Sequence, residues 1–133
     1  MKKLFISCPM KGRTEENIKE SMEKMHKIAE IVFGEELEVI PSYIEDNPPE
    51  TTDQRIWYLG KSIQLMAEAD FYIGIEYCHN FSGCHVENQV AYEYGLKRTF
   101  VRYDEFMPDV VELMNVNMMP AIMPDNAMLV EPQ

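Results

Sequence analysis

The sequence predicts an α/β domain built on a doubly wound parallel sheet of about five strands, with helices on both faces. Three observations carry that expectation. Short apolar runs rich in β-formers recur at residues 4–8, 37–41, 71–75 and 99–103. Between them lie stretches with apolar residues at helical spacing and capping residues at their ends. The length of 133 residues, 46% of them hydrophobic, supplies one core and not two. We therefore expect a single domain over 1–133, with its core in 2–103 and an interface-forming C-terminal segment in 104–133.

Residues 4–8, Leu-Phe-Ile-Ser-Cys, read as a strand buried on both faces and stopped by Pro9. After a loop, Thr14 can cap a helix whose first turn carries Glu15 and Glu16, the sign that a helix N-terminus prefers. Ile18, Met22, Met25, Ala29, Val32 and Phe33 share one face, and Gly34 is the stop. Residues 37–41 give a second strand. Thr51 and Gln54 offer a capping box for a second helix, with Ile56, Leu59, Ile63 and Met66 as its buried stripe. Residues 71–75 form the third strand, 83–94 the third helix closed by Gly95, and 99–103 the fourth strand. A short helix at 108–113 and a fifth strand at 127–130 complete the reading.

Composition narrows the function. With 12 Lys+Arg against 23 Asp+Glu the net charge is -11, which repels a phosphate backbone and argues against a nucleic-acid polymer as partner. The 11% aromatic content is too high for a disordered acidic tail. Three cysteines without framework spacing point to a reducing, cytoplasmic setting. The run after Lys2 and Lys3 is too short for a signal peptide or membrane span.

In such sheets ligands sit beyond the carboxyl ends of the strands. The segments expected there are 8–13, 42–53, 76–83 and 104–108. The six glycines form neither a GxxxxGK[ST] loop nor a GxGxxG fingerprint, and the first strand ends without an acidic pair. Kinase, NTPase, phospho-receiver and ordinary dehydrogenase readings therefore drop out. Ser7, Lys11 and Arg13, with the first helix's amides, suit an anion pocket; the plainer reading is two solvated loop cations. Ser82 and Gly83 could hold a phosphate or sugar hydroxyl, or Ser82 could simply cap the third helix.

Glu87 stands out, since it shares a stripe with Val90, Ala91 and Tyr94, the face expected against the sheet. It is either semi-buried and functional or at the stripe's edge. Asp70 begins the third strand, about 16 Å from the cleft end, and reads as structural. Cys78-His79 and Cys84-His85 lack the spacing that structural zinc favours, so no metal is expected. The six methionines between 107 and 128 suit core or subunit-interface packing.

The strings Phe5-Ile6-Ser7-Cys8-Pro9-Met10-Lys11-Gly12, Ala69-Asp70-Phe71 and Ser82-Gly83-Cys84-His85-Val86-Glu87, with Ala91 and Tyr94-Gly95, resemble the nucleoside 2-deoxyribosyltransferase-like superfamily. The resemblance covers about residues 2–103. It is nearest to a small bacterial and phage branch opening on the string ISGPM, related to the 2'-deoxynucleoside 5'-phosphate N-hydrolases. It implies a flavodoxin- or Rossmann-like sheet and an enzyme acting at the N-glycosidic bond of a (deoxy)nucleoside or its 5'-monophosphate, a transferase or a hydrolase. Glu87 would be the nucleophile. Ser7, Met10, Lys11, Gly12 and Arg13, with Ser82 and Gly83, would hold substrate and phosphate. No cofactor is implied, since nucleophilic glycosyl transfer needs none.

The chain also departs from that pattern. Ser62 stands where the superfamily has an aspartate that assists base departure, and Phe5 replaces a tyrosine. Glu112 and Met114 fall where a neighbouring subunit lends residues, which implies a homo-oligomer. Glu76 and Asp53 are the candidate replacement acids. Two other readings stand beside the enzyme: a non-catalytic nucleotide or nucleotide-sugar binding module, and an interaction protein built on the Met-rich C-terminal segment.

Overall fold

The computed structural model describes residues 1–41, 46–50, 52–77 and 80–115. It contains β1 (Lys2–Ile6), α1 (Glu15–Phe33), β2 (Leu37–Val39), α2 (Gln54–Met66), β3 (Phe71–Ile75), α3 (Ser82–Glu93), β4 (Lys97–Val101), α4 (Tyr103–Phe106) and α5 (Pro108–Leu113). The four strands form one all-parallel sheet in the order β2-β1-β3-β4. β1 and β3 pair from Leu4 opposite Phe71 to Ile6 opposite Ile73, and Ser7 N–H extends the ladder to Ile73 O at 2.9 Å. Asp70 ties the opposite end of the sheet, accepting Lys3 N–H at 2.8 Å, as a structural residue should.

Strand alternation sorts the apolar side chains into two clusters. Leu4, Ile6, Phe71, Ile73 and Ile75 pack with Met25 and Ala29 of α1 and with Met107, Val110 and Met114. Phe5 and Tyr72 pack instead with Met66 of α2 and Ala91 of α3. Strands with both kinds of face covered need continuous apolar sequence, which is what residues 71–75 supply. Met114, expected to serve a neighbouring subunit, is 7% exposed within its own chain's core.

Local signals act as expected in α1: Thr14 Oγ1 accepts Asn17 N–H at 3.1 Å, and Gly34 closes the helix at φ 76°. The buried stripe is narrower than predicted, running through Ser21, Met25 and Ala29 and leaving Val32 exposed. For α2 the cap is Asp53, which accepts the amides of Arg55 and Ile56; Thr51 lies outside the described residues. Of the predicted stripe, Ile56 is 68% exposed and only Met66 is fully buried.

β4 runs two residues earlier than the apolar pattern suggests, because pairing with β3 fixes it: Lys97 faces Phe71 and Val101 faces Ile75. Among the described residues β4 is an edge strand of the sheet. Tyr103 consequently starts α4. The predicted fifth strand at 127–130 lies outside the described residues.

Gly74 is dictated by close approach. A Cβ there would sit 2.8 Å from Tyr72 Oη and 2.9 Å from its ring, and Tyr72 is fully buried. Gly74→Ala is expected to cost about 1–3 kcal/mol, read as a lower urea midpoint at unchanged slope. An unchanged midpoint would show that the ring can move aside.

Candidate functional site

The chain leaves β1 through α1 towards β2 at one edge of the sheet, and leaves β3 through α3 towards β4 at the other edge. The two connections part between β1 and β3, where open α/β sheets hold their ligands. A cavity of about 530 Å³ lies there. Cys8, Met10 and Lys11 line it from the loop after β1, and Asn80, Ser82 and Gly83 from the start of α3. Tyr58, Leu59 and Leu65 of α2 add an apolar wall, of which the predicted stripe held only Leu59.

Glu87 faces this cavity from the second turn of α3. The Ser7 hydroxyl donates to its Oε1 at 2.7 Å, and the Ser62 hydroxyl hydrogen-bonds the same carboxylate. Burial raises the proton affinity of Glu87 above that of an ordinary glutamate, while the two serine hydroxyls pull it back down. Ser7 itself is buried, so it supports Glu87 rather than facing solvent as an anion ligand. Ser62, which the sequence marks only as a lost aspartate, stands against the candidate nucleophile.

At the mouth, Lys11 is an exposed cation. The first amides of α3 have no side-chain cap, because the N-cap residue is Phe81 and Ser82 is already helical. Ser82 is therefore not the helix cap, and it lines the cavity.

Arg13 goes elsewhere. Its side chain is 1% exposed and lies in a two-point pair with Asp109, Nε–Oδ2 2.7 Å and Nη2–Oδ1 3.0 Å. Nη1 donates to Pro9 O at 2.9 Å and Nη2 to Ser21 Oγ at 2.7 Å. These bonds engage the guanidinium away from the Glu87 cavity, whose described lining does not include Arg13. They also account for the buried Ser21 in α1. Gly12, at φ 78°, forms the turn beside Arg13 and lines a second hollow with Asp109, Glu112 and Leu113. Glu112 is exposed there, away from the Glu87 cavity.

Neither candidate acid reaches the cavity. Asp53 is engaged by Arg55, which holds its carboxyl down to about 2, so it carries no proton to give at neutral pH. Glu76 is exposed at the end of β3 and is not among the described lining residues. Burial pushes the Cys8 thiol up to about 11, which makes it a packing group rather than a nucleophile. Among the described residues no group of three or more His, Cys, Asp or Glu could hold a metal ion, and no helix is long and apolar enough to cross a membrane. Cys78 and His79 lie outside the described residues.

Comparison with protein-family models, with curated proteins and with solved structures found no match for this chain.

Proposed function

We propose that the cavity between β1 and β3 binds a nucleoside or nucleoside 5'-monophosphate, and that Glu87 attacks its N-glycosidic bond. The observation that carries this reading is the Glu87 carboxylate, half-buried at the cavity and held by Ser7 and Ser62. A carboxylate so placed is the nucleophile that an oxocarbenium-like centre requires. An oxygen of Glu87 bonds to C1' as the C1'–N bond breaks, and the electron pair departs with the base. Water or a second base then attacks C1' and frees the carboxylate. The uncapped amides of α3, with Ser82, Gly83 and Lys11, suit a 5'-phosphate at the mouth.

The same reading includes a doubly wound sheet completed by a fifth strand, a homo-oligomer and a cytoplasmic setting. The two apolar clusters, one with α1 and the other with α2 and α3, support helices on both faces. One observation favours a second reading, a nucleotide-binding module that does not cleave: neither Asp53 nor Glu76 stands in the cavity as an acid for the leaving base.

The test is chromatographic detection of free base over the common deoxynucleosides and their 5'-monophosphates, with Lys11→Ala alongside. Wild type is expected to release base. Lys11→Ala is expected to raise KM for monophosphates about tenfold, with kcat and nucleoside turnover unchanged, the effect of losing one charge-assisted contact. Equal KM values would remove Lys11 from phosphate binding. Thermal stabilisation by nucleotide without base release would favour the binding module.

A further inference from the structure

We infer that Ser7 and Ser62 are the positioning pair of this site, two hydroxyls from different elements that fix the direction in which Glu87 presents its carboxylate to the cavity. The inference rests on the reading of Glu87 as the reacting group. Ser7 offers a fixed origin. Its N–H is bonded to Ile73 O at the end of β1, its side chain is fully enclosed, and its hydroxyl meets Glu87 Oε1 at 2.7 Å. Ser62 reaches the same carboxylate from the third turn of α2, the helix that lies against α3.

A glutamate with three rotatable bonds loses its wandering only if donors meet it from more than one direction. Two hydroxyls on two elements do that without adding a charge. They also oppose burial, which by itself would leave more of the molecules with a protonated Glu87. The remaining charged groups among the described lining residues are Lys11, from the loop after β1, and Arg55 of α2, which is paired with Asp53 at 2.9 Å. Among the described lining residues α3 brings no charge to the cavity beyond Glu87 itself. Removing either serine therefore changes hydrogen bonding to Glu87 while leaving the charges around it in place.

The sequence carries a faint trace of this arrangement. Ser62 interrupts the cavity-facing stripe of α2 between Leu59 and Leu65, where an apolar residue would pack as well. A polar residue at that point needs a partner, and the partner is 25 residues further along the chain, from 62 to 87.

The experiment is a 13C NMR titration of the Glu87 side-chain carboxyl in the full chain, with the signal assigned by its loss in Glu87→Gln. Wild type is compared with Ser62→Ala, Ser62→Thr and Ser7→Ala. Each alanine variant is expected to bind the Glu87 proton about tenfold more tightly, a rise of about one pH unit, and Ser62→Thr to return to wild type. Where a substrate is turned over, the acid limb of kcat/KM moves by the same amount and kcat falls while KM holds. A titration unmoved by Ser62→Ala, or Ser62→Thr behaving like alanine, would overturn the inference. Should Ser7→Ala fail to fold, the two Ser62 variants decide. A shift seen in a protein that releases no base supports the positioning pair and counts separately against the glycosidic reading.

Discussion

Glu87→Gln is expected to lower base release by at least about a thousandfold while the protein keeps its fold and its affinity for nucleotide. The amide is nearly the same size and still accepts the Ser7 hydrogen bond, but it cannot form the bond to C1'. The same substitution is expected to raise the melting temperature at pH 8 and leave it unchanged at pH 4. The sign follows from burial, which raises the folded-state pKa of Glu87 above its ordinary value of about 4.3. Below that ordinary value the carboxyl is neutral in both states and burial costs nothing extra. As pH rises through the folded-state pKa, the folded wild type must hold a charge it resists, whereas the amide of the variant stays neutral. In wild type kcat/KM rises across that same range, because only the ionised form attacks. Full activity in Glu87→Gln would remove Glu87 from the centre of the mechanism, and equal melting temperatures at pH 8 would show that burial does not penalise its charge.

Arg13→Ala is expected to have the largest effect on stability, roughly 3–5 kcal/mol or a fall of about 10–20 °C in Tm. The guanidinium is enclosed, and it joins the loop after β1, α1 and α5 through Pro9, Ser21 and Asp109. Its loss leaves Asp109 facing an unfilled buried space and strips Pro9 O and Ser21 Oγ of their donor. Asp109 is 26% exposed, which places the cost at the lower part of that range. Arg13→Lys recovers little, since an ammonium cannot span both Asp109 oxygens and Ser21 together. The Arg13 hydrogen bond holds the Asp109 carboxyl below the usual carboxylate range. The pair therefore stabilises the fold above the ordinary aspartate pKa of about 3.9, and that contribution fades as pH falls through the depressed value. Wild type should lose stability on acidification more steeply than Arg13→Ala, measured by urea unfolding at pH 7 and pH 3. Unchanged stability in Arg13→Ala would show the network to be incidental.

The contrast between these two residues shows what the sequence discloses and where it stops. Glu87 is legible because a carboxylate on the sheet-facing stripe of a helix contradicts the local pattern. Thr14, Gly34 and Asp70 are legible because their partners lie within a few residues or across one strand pair. Arg13 is not, because a loop cation before a helix looks the same whether it meets a phosphate or Asp109, 96 residues away. The capping-box spacing picks Thr51 for α2, whereas the cap is Asp53, whose carboxylate accepts the amides of Arg55 and Ile56. The limits of β4 come from pairing with β3 rather than from its own apolar run, so the run alone places it two residues late. Ser62 acquires meaning only once the fold lays α2 beside α3.

The most direct measurement is peptide mass spectrometry on wild type and Glu87→Gln, each acid-quenched within one turnover of a deoxynucleoside 5'-monophosphate. A deoxyribosyl-phosphate adduct is expected on the peptide carrying Glu87 in wild type, and none in the variant. An adduct on a different residue, or base release by Glu87→Gln at the wild-type rate, would contradict the assignment of Glu87 as nucleophile.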